Sequence, residues 1–122
     1  MKYFLFLGAA IASLSAIPAW AQDAAAGETV FKRQCAMCHA VVPGKNMIGP
    51  SLSGIIGRKA GTVPNFRYSA ANRDSGITWD AAQLDPYLTS PKAVIPGTTM
   101  IYVGQKDAQQ RADLIAFLQT LK

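Results

Sequence analysis

Cys35-Ala36-Met37-Cys38-His39 brings together both cysteines and the sole histidine of the 122-residue chain. Two thiols with two residues between them, followed at once by an imidazole, form the C-x-x-C-H pattern that attaches a c-type haem. Each thiol can add to one vinyl group of the ring, and the adjacent His39 can then bind the iron from below. Three other uses of these residues compete. A redox dithiol wants a βαβ context, and the chain shows no such alternation. A structural zinc needs four ligands, and this cluster supplies three. A plain Cys35–Cys38 disulfide would leave His39 without a role. Haem attachment is the reading that uses every residue of the motif.

A haem iron held by His39 still has a second axial position. With a single histidine, bis-imidazole ligation within one chain is excluded, and a methionine thioether is the usual alternative. Met37 lies inside the attachment loop. Met47 follows His39 so closely that it is expected on the same side. Met100 comes after Pro91, Pro96 and Gly97, in helix-breaking surroundings that leave it free to cover the opposite face. It is the expected metal ligand, although any methionine can also serve as core filler.

These groups need elements to position them. Asp23 is an acceptable N-cap for a helix running through Ala24-Ala25-Ala26 towards Cys35. Gly27 and Phe31 share a face of it. A helical glycine costs about 1 kcal/mol relative to alanine, and close approach of a second helix would explain it. That helix is expected at the far end of the sequence. Asp107 and Gln110 resemble a capping box, and Leu114, Phe117, Leu118 and Leu121 form one apolar stripe. The two helices should cross at Gly27 and bury Phe31 against Leu114 and Phe117.

Between them, Val41 to Pro64 is punctuated by Pro43-Gly44, Gly49-Pro50, Gly54, Gly57 and Gly61 and reads as loops, with a short helical piece near Leu52–Ile56. Loops this long need something to pack on, and a haem provides an apolar surface. A third helix is expected after Thr78-Trp79-Asp80, capped by Thr78, with Leu84, Tyr87 and Leu88 on one face. Pro86 should kink it or restart it with Asp85 as a new cap. Ser90-Pro91 opens a further short turn that ends at Pro96-Gly97.

The first residues read as an address. Lys2 gives a positive start, Tyr3 to Pro18 is apolar and uncharged, and Ala19-Trp20-Ala21 offers a cleavage site. The expected organisation is a cleavable signal peptide over residues 1–21 and one domain over 22–122, although the apolar run is also about the length of a minimal membrane anchor. Export to the periplasm would place the thiols outside the cytoplasm. A domain of roughly 100 residues gains stability from a large buried cofactor. The formal charge of +5, which drops by one with loss of Lys2, suits an acidic protein partner. Neither the charge nor its spacing resembles a nucleic-acid-binding stripe.

From about Gly27 to Leu121 the sequence resembles a class I cytochrome c, close to the mitochondrial protein and its bacterial periplasmic relatives. The matching pieces, in order, are Gly27-x-x-x-Phe31, Cys35-x-x-Cys38-His39, Gly49-Pro50-x-Leu52, Gly57-Arg58-Lys59, Tyr68, Asn72 and Gly76-Ile77-Thr78-Trp79. They continue with Tyr87-Leu88, Pro91-Lys92, Ile95-Pro96-Gly97-Thr98-x-Met100-x-Tyr102-x-Gly104, and the run Asp113 to Leu118. This resemblance implies an all-α cytochrome c fold, with crossing terminal helices and further helices and loops wrapped around one covalently bound haem c. It implies that the Pro50 carbonyl accepts from the free nitrogen of His39. Arg58, Tyr68, Trp79 and Thr98 would hydrogen-bond a buried haem propionate, which needs donors once desolvated. Asn72, Tyr87 and Thr98 would form a polar network beside Met100.

Six-fold ligation by four ring nitrogens, His39 and Met100 leaves no open position, so the resemblance implies an electron shuttle and not an enzyme. Lys45, Lys92 and Lys106 match lysines that ring the exposed haem edge, and Lys32 and Arg33 add charge nearby. Gln34 and Thr99 stand where the mitochondrial pattern has lysines, which thins the ring. The implied partners are redox proteins: a quinol-oxidising cytochrome complex, a terminal oxidase, a photosynthetic reaction centre or a periplasmic dehydrogenase. The expected state is a monomer with no nucleic acid and no stable membrane insertion after signal cleavage. Two other functions fit parts of the sequence. A haem enzyme or gas-binding sensor would need a labile sixth ligand, and a haem-free interaction domain would need a Cys35–Cys38 disulfide.

Overall fold

In a computed structural model the described residues are 22–122, so the expected signal peptide over residues 1–21 lies outside them. Five helices follow in order: α1 (Ala24–Gln34), α2 (Ala70–Arg73), α3 (Ala81–Thr89), α4 (Pro91–Val94) and α5 (Ala108–Gln119). The extended pairing among the described residues is one isolated antiparallel bridge, Lys59 with Thr78. The chain is all-α, as expected.

The crossing of α1 and α5 sets the frame. Asp23 caps α1, its carboxylate accepting from the amides of Ala25 and Ala26. Gly27 then permits contact: a Cβ there would lie 1.8 Å from the Asp113 carbonyl oxygen and 2.9 Å from the Phe117 Cβ. Only a residue without a side chain allows the backbones so close. One turn on, Phe31 packs on Phe117 with ring centroids 5.4 Å apart. Leu114 is completely buried at the same junction, a burial worth roughly 2 kcal/mol. Asp113 is buried too, and its carboxylate accepts from the Asp23 amide at 3.0 Å, tying the start of α1 to α5.

Four local expectations need correction. Asp80, not Thr78, caps α3 and accepts from the Gln83 amide at 2.8 Å; Thr78 lies in the extended stretch that pairs with the backbone at Lys59. Pro86 does not restart α3, since the helix runs unbroken to Thr89. Asp85 pairs with Arg111 at 2.6 Å rather than capping. The capping box of α5 is half made: Asp107 accepts from the Gln110 amide, but the Asp107 amide donates to Gln105 Oε1 at 2.9 Å. Leu52–Ile56 forms turns, with Ile55 N donating to Leu52 O at 3.2 Å, and no helix.

Of the two remaining helices, α4 follows Ser90 as expected and α2 is a single turn capped by the Ser69 hydroxyl on the Asn72 amide. Its cue in the sequence is a serine ahead of Ala70-Ala71-Asn72, too short to carry an apolar period. Residues 41–64 are irregular as expected, and they close over one side of the central cavity.

Candidate functional site

That cavity has a volume of about 290 Å³ and lies between α1, α3, α5 and the loops. Cys35, Cys38, His39 and Met100 all face it, together with Pro50, Arg58, Tyr68, Asn72, Trp79, Tyr87 and Thr98. Residues far apart in the sequence thus converge on one space. Much of the remaining wall is apolar, including Leu52, Ile55, Leu84 and Leu118.

The floor follows from the end of α1. The Cys38 and His39 amides both donate to the Cys35 carbonyl at 3.0 Å, winding the motif into a tight turn. His39 Nδ1 and the Pro50 carbonyl are 2.8 Å apart, so the ring N–H donates there and Nε2 keeps its lone pair. Gly49 makes room for the imidazole, because a Cβ would come within 2.2 Å of its Cε1. Burial holds the His39 pKa below its ordinary value, while the Pro50 carbonyl pulls the other way. The Cys35 thiol is pushed up to about 11, by burial first and by Cys38 second. In the folded chain it is a protonated, weak nucleophile.

The roof carries Met100 in a closed set of bonds. Its amide donates to Thr98 Oγ1 at 3.3 Å. Thr98 in turn hydrogen-bonds the Tyr87 phenol, and the Tyr87 hydroxyl donates to Met100 Sδ at 3.9 Å. Tyr87 is buried against Trp79, with ring centroids 4.6 Å apart. Burial raises its pKa, and the bond from Thr98 opposes this. Asn72 is not hydrogen-bonded into this set: its Oδ1 is buried with no partner.

On the third wall, Arg58 donates to the Ser51 carbonyl at 2.8 Å and to the Ser53 carbonyl, which uses two of the five guanidinium donors. The Tyr68 hydroxyl accepts from the Val63 amide at 3.1 Å. Burial raises its pKa, and the neighbouring Arg58 charge works against that. Thr98 sits with Tyr87 and Met100. Of the lysines, Lys45, Lys92 and Lys106 are all exposed, and Lys106 directs its ammonium to the Thr89 carbonyl at the end of α3. Sequence reasoning took Gln34 only as a lost charge and passed over Gln105, a buried polar residue beside the roof.

The rival readings of the motif do not fit this geometry. Cys35 and Cys38 are separate thiols, and among the described residues no group of three or more His, Cys, Asp or Glu is arranged to hold a bare metal ion. A flat apolar ring with polar edges does fit. It matches the apolar walls, the paired thiols at the floor and the Arg58 guanidinium, which has donors to spare for a carboxylate edge. A family model described as cytochrome c matches residues 24–122.

The chain belongs to the cytochrome c family. It is 51% identical over 116 residues to cytochrome c2 of Blastochloris viridis, covering 94% of this chain and 91% of that one. It is 54% identical over 101 residues to cytochrome c2 of Rhodomicrobium vannielii, covering 82% and 80%. It is 47% identical over 100 residues to cytochrome c of the plant Guizotia abyssinica, covering 81% and 90%. As a cytochrome c, the protein carries one covalently bound haem c and passes single electrons between redox proteins. Among the described residues, no helix is long and apolar enough to cross a membrane.

Proposed function

We propose that Cys35 and Cys38 hold the haem through thioethers, that His39 and Met100 are its axial ligands, and that the protein is a shuttle with no enzymatic activity. The observation carrying this reading is that one cavity joins the Cys35–His39 turn to the Met100 sulfur across 61 residues of sequence. When bound, the haem supplies reversible one-electron chemistry. The chain's residues set its terms. His39 Nε2 is presented because Nδ1–H is committed to Pro50. The soft Met100 sulfur favours the reduced iron, and the apolar wall disfavours the extra charge of the oxidised one; both raise the potential. Arg58 and Tyr68 offer a positive charge and a hydroxyl to the carboxylate edge of the ring, with Trp79 closing the wall behind them. Asn72 lies on the remaining polar wall.

The protein acts in the periplasm as a monomer, after residues 1–21 are removed. Its partners are redox proteins such as a quinol-oxidising cytochrome complex, a terminal oxidase, a photosynthetic reaction centre or a periplasmic dehydrogenase. Lys45, Lys92 and Lys106 are all exposed for docking, Lys106 with its ammonium on the Thr89 carbonyl.

The deciding experiment is Met100→Ala in the holoprotein. The expected result is loss of the methionine–iron absorption band, a lower potential and binding of carbon monoxide to the reduced form, which the wild type refuses. An unchanged spectrum and potential would remove Met100 from the iron. Carbon monoxide binding by the native reduced protein would favour the gas-binding or enzymatic reading.

A further inference from the structure

Met100 lies in a stretch with little backbone support. Among the described residues, 99–104 make no backbone–backbone hydrogen bond. Ile101 and Val103 are 89% and 82% exposed, whereas Met100 and Tyr102 are half-buried at the cavity. The segment is therefore an extended strap across the cavity mouth, and side chains must hold it down.

The bonds that do so converge on Gln34, the last residue of α1, and on Gln105. The Tyr102 hydroxyl donates to Gln34 Oε1 at 2.6 Å, and Gln105 Nε2 reaches the same oxygen at 3.3 Å. Gln105 Nε2 also reaches Gln110 Oε1 at 3.3 Å, and Gln110 Oε1 accepts from Arg33 at 2.7 Å. The polar groups of Gln105 are thoroughly engaged. Its Oε1 accepts from the Asp107 amide, its own amide donates to the Leu88 carbonyl at 2.7 Å, and its carbonyl accepts from Arg111 at 3.0 Å. A buried amide met on every side fixes one arrangement of its neighbours. Gln105 thus ties the far end of the strap to α1, α3 and α5 together.

We propose that Gln34, Tyr102 and Gln105 form a neutral hydrogen-bonded latch that keeps the strap closed and Met100 seated over the cavity. The three are positioning residues: they act on the sixth coordination site through the strap. The latch deepens the proposed ligation and rests on Met100 being the ligand. Because no member is charged, its strength is independent of salt, unlike docking through lysines.

The test is imidazole binding to the ferric holoprotein. An outside ligand reaches the iron only from the open strap, so its apparent affinity scales with the open population. Gln105 is buried and linked to three helices, so the test uses its partly exposed partners. Tyr102→Phe removes one hydroxyl and keeps the ring; loss of one net hydrogen bond should raise imidazole affinity about fivefold. Gln34→Ala should do at least the same, and Gln34→Glu, which keeps an acceptor oxygen, should stay near the wild type. The double variant Gln34→Ala, Tyr102→Phe should exceed Gln34→Ala alone by little, since both remove one shared bond. The ratios of the uncharged variants, Tyr102→Phe, Gln34→Ala and their double, should hold from low to high salt. Wild-type affinity in both single variants, or effects that multiply fully in the double variant, would overturn the latch. Met100→Ala serves as the separate control: if its spectrum matched the wild type, the ligand assignment would fail whatever the latch variants did.

Discussion

The two faces of the cavity are built by opposite means. Below, His39 is locked by backbone. Its turn is closed on the Cys35 carbonyl, the Gly49 amide donates to Cys38 O at 2.7 Å, and the Leu52 amide donates to Ala40 O at 2.9 Å. The ring itself is pinned between Gly49 and the Pro50 carbonyl. Above, Met100 hangs on a strap that has backbone bonds only at its two ends, at Thr98 and Gln105, and is otherwise held by side chains: Thr98, Tyr87 and the Gln34–Gln105 cluster. Backbone ladders open together with the fold, whereas side-chain bonds open locally and at lower free energy. The His39 side should therefore stay bound through any local opening, and the Met100 side should be the one that exchanges.

The comparison is broken most severely from below. Gly49→Ala drives a methyl group into the imidazole, with a Cβ 2.2 Å from Cε1, and should cost about 4 kcal/mol or prevent holoprotein assembly. Denaturant unfolding and haem content measure this; a loss under 1 kcal/mol would show that the floor can give. Gly104→Ala asks the same of the roof. Its φ is +107° and a Cβ would lie 2.1 Å from the Thr89 carbonyl oxygen, so about 2 kcal/mol should be lost. The strap should also loosen while His39 stays bound, visible as weakening of the methionine–iron band before global unfolding. Simultaneous loss of both would deny the difference between the faces.

Alkaline pH offers a milder probe. Burial raises the pKa of Tyr68, Tyr87 and Tyr102 above the ordinary phenol value of 10.0. Between that value and the folded one the unfolded chain has already released its protons, so stability is intact below pH 10 and falls above it. Denaturant midpoints should decline there, and less so in Tyr68→Phe. A flat profile through this range would mean the phenols titrate alike in both states. The smallest effect is expected furthest from either face: Lys92→Glu should leave the spectrum and stability alone and slow electron transfer to an acidic partner at low salt. Identical rates at all ionic strengths would remove charge from docking.

Much of this arrangement is legible in the residues themselves. Cys35-x-x-Cys38-His39 names its cofactor because thiol spacing and an adjacent imidazole admit few uses. Gly27 announces the α1–α5 crossing because a glycine inside a helix needs a cause. The helix-breaking residues before Met100 place it on a separate segment. What stays hidden depends on three-dimensional competition. Thr78 reads as the cap, but the chain is still extended there, opposite Lys59, and the helix opens two residues later behind Asp80. Asp107 and Gln110 spell a capping box, yet Gln105 takes the amide that Gln110 would have bonded. Gln34 reads as a missing lysine, and its bond with Tyr102, 68 positions away, has no local signal.

The α1–α5 crossing also sets a schedule. α1, the first described helix, ends at the cysteine pair, and its packing partner α5 is the last. In a chain made from its amino end, α1 has nothing to dock on until almost the whole sequence has followed. During that interval Cys35 is in water, more reactive than in the folded cavity, where burial takes its pKa to about 11. A single missing side chain at Gly27 thus joins the two ends so closely that the chain cannot close early, and the time this leaves is the time in which the haem can be attached.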